Sequence, residues 1–286
     1  MACDEFYTVR ADVDAEAKFY DFSGRIVYCP CDNYEWSAFV LFFSENFARL
    51  GLRGLICSCI GTGDLFTPYQ HGFVVEYDGE RWTPPRRIDG DFRSADCAAL
   101  RARADVICTN PPFSLFTDFF FWMKSKEFLV IFPQTALTQN RIFPHFMRGE
   151  CWLGRSIRTH GRLFRVPDYF ELRHKHHSRV RNGVKYCEVD SARWLTNMGE
   201  RVEKDLPLTE VYTPERYPFL DGTCYPNVEK KGEIPRDYFG VLAVPASFFN
   251  YWNPAQFAVV GKMVKPRLNG VAKNTRILIQ RVDQNG

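Results

Sequence analysis

The chain has 286 residues and a net charge of only +3, with 45% hydrophobic and 16% aromatic residues. That composition excludes a disordered or fibrous chain and leaves material for one large α/β domain, or one domain with a smaller appendage. The apolar runs "SAFVLFF" and "LFTDFFFWM" are too short or too interrupted to span a bilayer, and the acidic opening "MACDEFYTVRADVD" lacks a signal-peptide pattern, so a soluble protein with no membrane partner is expected.

In chain order, "GRIVYCPCD" reads as a buried strand followed by a turn from Pro30 to Asn33. "SAFVLFFSENFARLG" reads as a helix with Ser37 as N-cap and Gly51 as its stop. "GLICSCI" is a second strand, which completes a βα unit of a parallel sheet. The pairs Cys29/Cys31 and Cys57/Cys59 are too closely spaced for an ordinary zinc site and are read as core thiols of a reducing compartment; no metal is expected. "GFVVEYDGERW" looks like an inserted hairpin around Asp-Gly. "CAALRARA" is a short amphipathic helix, "DVICT" a third buried strand, "SLFTDFFFWMKS" a helix and "EFLVIFP" another strand. The alternation predicts a doubly wound α/β sheet, giving way past Glu150 to short strands, basic loops and Pro-containing turns.

In such a sheet ligands bind beyond the carboxyl ends of the strands. Three turns there carry unusual residues: "CPCDNYEWS", "DGDFRS" and "TNPPF". In the last, Asn110 offers an amide oxygen and Pro111 a carbonyl, two acceptors suited to an amino group's two N–H donors. Pro111 and Pro112 fix φ twice and hold those acceptors rigidly. Phe113 adds a ring on which a planar group can stack. A helix start with Pro at its first position would explain one proline, but neither the Asn nor the Phe.

From Arg155 to Lys185 the basic residues Arg155, Arg158, Arg162, Arg165, Arg173, Lys175, Arg179, Arg181 and Lys185 face only Asp168 and Glu171. Interleaved histidines and aromatics make the stretch a candidate phosphate-tracking surface, with a solvated basic face as the alternative. "RHKHHS" reads as a phosphate-facing loop rather than a metal tract, "NYWNPAQF" as a structural turn, and "GTGD" is too short to define a nucleotide loop.

The NPPF motif at a strand end resembles the catalytic motif of amino-group methyltransferases that use S-adenosylmethionine. "GDFRS" just before its strand, with "DEFYT", "VYCPCDNYEWSAFVLFFSENFARLGL", "CWLG", "RWLTNM" and "IPRDYFGVLAVPASFFNYWNPAQF", extends the likeness over nearly the whole chain. The sequence resembles the EcoRI-type adenine-specific DNA methyltransferase family. That implies a Rossmann-like class I sheet, with residues 1–200 forming the S-adenosylmethionine-binding catalytic domain and 201–286 an irregular C-terminal region for target recognition. It implies methyl transfer to N6 of a flipped adenine in double-stranded DNA, in a bacterial or phage-infected cytoplasm, with a cognate restriction endonuclease system as candidate partner.

By motif, Asn110, Pro111, Pro112 and Phe113 correspond to the catalytic set, Asp91 and Phe92 to residues at the cofactor adenine, and Phe6, Tyr7 and Thr8 to the block at its methionine end. Pro30, Cys31 and Asp32 occupy the first-strand turn. Arg155, Arg158, Arg162, Arg179 and Arg181 are the DNA-binding candidates. The usual methyltransferase glycine-rich loop is replaced by "CPCDNYEWS", which has no glycine and makes close backbone approach harder, and "CSCIGTGD" supplies no ribose carboxylate unless Asp64 or Glu76 reaches in. RNA adenine methylation, protein-glutamine methylation and an inert DNA-binding relative are the competing functions; the basic stretch disfavours glutamine and the intact NPPF disfavours the inert relative.

Overall fold

The computed structural model describes residues 6–61, 71–156, 161–170 and 178–282. The chain divides into two compact units, residues 1–136 with 148–200, and residues 137–147 with 201–286.

The first unit is built on an eight-stranded mixed sheet. Its strand order is Arg86–Arg87, Phe73–Tyr77, Gly54–Cys59, Ile26–Pro30, Val106–Thr109, Glu127–Pro133, Ala192–Thr196, Trp152–Leu153. The central strands, from Gly54–Cys59 to Glu127–Pro133, run parallel, and Phe73–Tyr77 and Ala192–Thr196 flank them antiparallel. Strand alternation sends Val27, Cys29, Leu55 and Cys57 into one core with the Ala38–Glu45 helix, while Tyr28 and Ile56 face a second core with Cys97 and Leu100 of the Ala95–Arg103 helix. Helical cover on both faces explains why these strands read as continuous apolar runs.

The helix expected from Ser37 starts there, with the Ser37 hydroxyl accepting from the Phe39 N–H. It ends at Gly51 in the left-handed region, after a break at Asn46. The hairpin read at "GFVVEYDGERW" is more than an insertion. Phe73–Tyr77 joins the main sheet as its antiparallel neighbour to Gly54–Cys59, because Phe73, Val74 and Val75 are all buried and need cover on both faces.

A smaller antiparallel sheet in the same unit has the order Tyr7–Thr8, Arg162–Arg165, Val184–Val189, Arg179–Arg181. The Arg179–Arg181 and Val184–Val189 strands are joined by Asn182 and Gly183, both at positive φ. Asn-Gly is the dipeptide that such a two-residue turn demands.

The second unit has a three-stranded antiparallel sheet of Leu242–Pro245, Arg276–Arg281 and Phe257–Met263. Residues 137–147, expected within the catalytic domain, belong to this unit because Phe143 and Phe146 pack on Phe249, and Phe146 also on Trp252. Asn253 makes the turn expected at Asn253-Pro254, its Oδ1 accepting from the Ala255 N–H. Among the described residues no helix is long and apolar enough to cross a membrane.

Candidate active site

The parallel strands all end on one edge, at Pro30, Cys59, Thr109 and Pro133. The chain runs outward from Ile26–Pro30 to Gly54–Cys59, then returns to Val106–Thr109 on the other side of the first strand. That reversal is a topological switch point, where α/β sheets form their ligand crevice.

Asp32 and Thr109 meet there. The buried Asp32 carboxyl accepts from the Ser37 hydroxyl at 2.5 Å and lies 2.7 Å from the Thr109 hydroxyl. The Thr109 hydroxyl also lies within hydrogen-bond distance of the Pro30 carbonyl. A hydroxyl carries one proton, so it cannot satisfy two oxygens that only accept. With a proton on Asp32 the chain closes: Asp32 donates to Thr109, and Thr109 to the Pro30 carbonyl. Burial pushes the Asp32 carboxyl up to about 7, against the opposing pull of the hydrogen bonds that Ser37 and Thr109 would donate to its ionised form. Asp32 thus ties the first-strand turn to the residue immediately before Asn110.

The turn after the first strand has no glycine, yet Cys31 takes the left-handed conformation that glycine ordinarily supplies, at φ 64°. Close approach is achieved in a neighbouring loop. A Cβ on Gly90 would fall 2.0 Å from the Cys59 carbonyl oxygen, so only glycine lets the "DGDFRS" loop lie against the end of the second strand. Burial holds the Cys31 thiol well above its ordinary range, so it stays protonated.

Asn110 sits directly after the buried strand Val106–Thr109, with Pro111 buried and Pro112 half-buried. Its Nδ2 donates to the Phe6 main-chain carbonyl at 2.5 Å. Its Oδ1 is shielded from solvent and has no hydrogen-bond partner among the described residues. Turning the amide over would set two oxygens against each other, so Phe6 determines which atom is presented. The Thr8 hydroxyl is a second shielded oxygen without a partner among the described residues. The Phe113 ring is half-buried, 5.7 Å from Phe6 and 6.3 Å from Phe164. Phe6, Thr8, Asn110 and Phe113 therefore assemble from two distant parts of the chain. Tyr7 does not join them: it lies on the other face of its strand and packs edge-on against Trp36 at 4.7 Å.

Asp91 and Phe92 separate in the same way. The Asp91 carboxylate is held by the Arg93 guanidinium at 2.9 and 2.6 Å, which pulls its carboxyl below the usual range. Phe92 is buried against Phe119 and Trp122, so its ring is core rather than an open face. Glu76, considered as a ribose ligand, pairs with Arg103, which lowers its carboxyl. Its partner position is Ile56, well short of the carboxyl end of that strand at Cys59, so it does not reach the crevice. Asp64 lies outside the described residues, as do Arg158 and the histidines of "RHKHHS". Among the described residues no cluster of three or more His, Cys, Asp or Glu could hold a metal ion.

One DNA-binding candidate is overturned. Arg162 is 1% exposed, ion-paired with Asp12 at 3.6 Å and stacked over Trp194. Its strand alternates, and Arg162 shares the inward face with buried Phe164. Arg155 is exposed and lies over the Phe19 ring, while its main-chain N–H donates to Glu16. Arg179 and Arg181 are exposed on one face of an edge strand. The Asn182-Gly183 dipeptide was the available signal for that hairpin.

The site thus presents an asparagine amide at the switch point of an α/β sheet, beside an aromatic ring. The chain belongs to the EcoRI adenine-specific methyltransferase family, whose model, described as "Adenine-specific methyltransferase EcoRI", matches residues 2–285. Among curated proteins it is similar to the type II methyltransferase M.EcoRI of Escherichia coli, 34% identical over 97% of this chain and 93% of that protein. It is also similar to the type II methyltransferases M.MpnI of Mycoplasma pneumoniae, 31% identical over 92% of this chain and 83% of that one, and M.MgeORF184P of Mycoplasma genitalium, 29% identical over 92% and 84%. No solved structure gives a significant match.

Proposed function

We propose that the protein is an S-adenosylmethionine-dependent methyltransferase of class I architecture that methylates N6 of adenine at specific sites in double-stranded DNA. The observation that carries this reading is the Asn110 amide: its nitrogen is occupied by Phe6, and its oxygen is shielded and unpartnered. Buried acceptors without donors are rare in folded proteins, so Asn110 Oδ1 and Thr8 Oγ1 together fit a ligand that brings N–H or O–H groups. S-adenosylmethionine, when bound, supplies an electrophilic sulfonium methyl; Thr8, the Cys31–Asp32 turn and the Asp91 loop are the residues that would hold it.

Adenine's amine is a poor nucleophile because its lone pair is conjugated with the ring. Asn110 Oδ1 and the Pro111 carbonyl accept its two hydrogens and stabilise the positive charge that grows as nitrogen attacks carbon. Such preorganised acceptors need no rearrangement during the reaction. Pro111 and Pro112 keep them rigid, Phe113 stacks on the base, and positioning for in-line attack supplies much of the remainder. The amine lies inside a duplex, so the base must first be flipped out at a cost of about a few kcal/mol. Residues 201–286 are assigned to target recognition, and a cognate restriction endonuclease to the same modification system.

The test is transfer of a labelled methyl group to duplex DNA, with RNA in a parallel arm, followed by digestion to nucleosides. Label in N6-methyldeoxyadenosine is expected. Label only in the RNA arm, or binding to DNA without any transfer, would overturn the reading.

A further inference from the structure

The small antiparallel sheet has two unlike faces. Residues directly opposite one another in antiparallel strands share a face. Tyr7 is opposite Arg165, Arg165 is opposite Tyr186, and Tyr186 is opposite Arg179. These residues form one row across all the strands of the sheet, and Arg181 lies two residues beyond Arg179 on the same side. The other face carries Phe164, Cys187 and Arg162, all buried. Arg165, Arg179 and Arg181 are exposed, and among the described residues none of the three is ion-paired with a carboxylate. Glu188 is the acidic residue on that face, opposite Leu163 rather than in the row.

We infer that this outer face is a phosphate-binding track for the duplex beside the target base, with the arginines supplying charge and the Tyr186 hydroxyl supplying an uncharged donor. The inference rests on the proposed DNA substrate. Its position follows from connectivity: Tyr7 is the next residue after Phe6, whose carbonyl orients Asn110. The track therefore starts one residue from the amide and leads away from it. Three interstrand steps of ~4.8 Å make the row about 14 Å long. A DNA strand advances about four nucleotides over that distance, at ~3.4 Å each. Charge complementarity commits the face to a polyanion backbone. Tyrosine and arginine are among the side chains that make sequence-independent contacts to phosphate.

The reading assigns opposite behaviour to arginines of one short stretch: Arg165, Arg179 and Arg181 touch phosphate, and Arg162 does not. The experiment measures DNA affinity and methylation by the full chain over a salt series, for R165A, R179A, R181A and Y186F, with cofactor affinity and melting temperature of each variant as controls. Each arginine variant is expected to reduce the salt slope by about one and to weaken all duplexes alike. Y186F should lose affinity severalfold with an unchanged slope, because the hydroxyl carries no charge. Unchanged slopes and affinities in folded, cofactor-binding variants would overturn the track while leaving the methyltransferase reading intact. A loss confined to one duplex sequence would mean base readout and would overturn it also. Failure of the unaltered protein to label DNA would instead sink the reading on which the inference rests.

Discussion

Asn110 has one amide nitrogen and one amide oxygen, and the described residues engage only the nitrogen. Asn110→Ala removes the free acceptor while leaving Phe113 in place. A single preorganised hydrogen bond of this kind is worth roughly 10²–10³ in rate, so turnover should fall by that factor with little change in DNA affinity; single-turnover methylation and a binding titration check it. Asp32 permits a test of opposite character. Its carboxyl is raised from 3.8 to about 7 in the folded chain, so folding takes up a proton between those values. Stability contributed by the neutral form is complete below about pH 4 and is lost as pH rises through about 7, at up to ~1.4 kcal/mol per unit. Asp32→Asn keeps an N–H toward Thr109 and an oxygen toward Ser37, which mimics the protonated state. Its melting temperature should be flatter from pH 4 to 7 than that of the unaltered protein, whereas an identical pH profile would mean that Asp32 is ionised in the fold.

At the scale of elements, the strand Arg162–Arg165 decides the fate of its arginines by alternation alone. Arg162 faces Asp12 in the core and Arg165 faces outward. Removing one partner of a buried ion pair leaves an uncompensated charge and typically costs about 3–5 kcal/mol. Arg162→Ala should therefore lower the chemical-denaturation midpoint strongly, and replacing Asp12 as well should recover part of the loss. Arg179→Ala, on an exposed edge strand, should leave the midpoint within ~0.5 kcal/mol of its original stability. The hairpin that carries Arg179 turns on Asn182-Gly183, a local signal, whereas the inward pointing of Arg162 depends on register with a strand elsewhere in the chain.

For the whole molecule, the proposed site makes ligand binding a test of stability. A buried hydroxyl without a partner costs about 1–3 kcal/mol, and Thr8 carries one. Thr8→Val should raise the melting temperature of the cofactor-free protein and diminish the further rise produced by S-adenosylmethionine, two changes of opposite sign in one thermal experiment. In the unaltered protein, ligand at a hundred times its dissociation constant should add about 2.7 kcal/mol. A Thr8→Val protein that is less stable alone and equally stabilised by cofactor would place that hydroxyl outside the site.

Much of this was legible in local sequence. The apolar runs ending at Pro30, Cys59 and Thr109, the Ser37 cap and the Gly51 stop are short-range signals, and the chain obeys them because each is satisfied within a few residues. Asn-Pro-Pro-Phe stood out locally, as an amide, two prolines and a ring directly after a buried strand. Tertiary structure alone decided the rest. Phe6 and Asn110 are brought together across the chain, Phe92 turns inward beneath Trp122, Glu76 is claimed by Arg103, and Cys31 adopts a backbone conformation usually left to glycine. Each depends on which strand lies beside which, and on the register between them. A one-residue shift in register would exchange the faces of the small sheet, exposing Phe164 and burying Arg165, and no window of neighbouring residues encodes that choice.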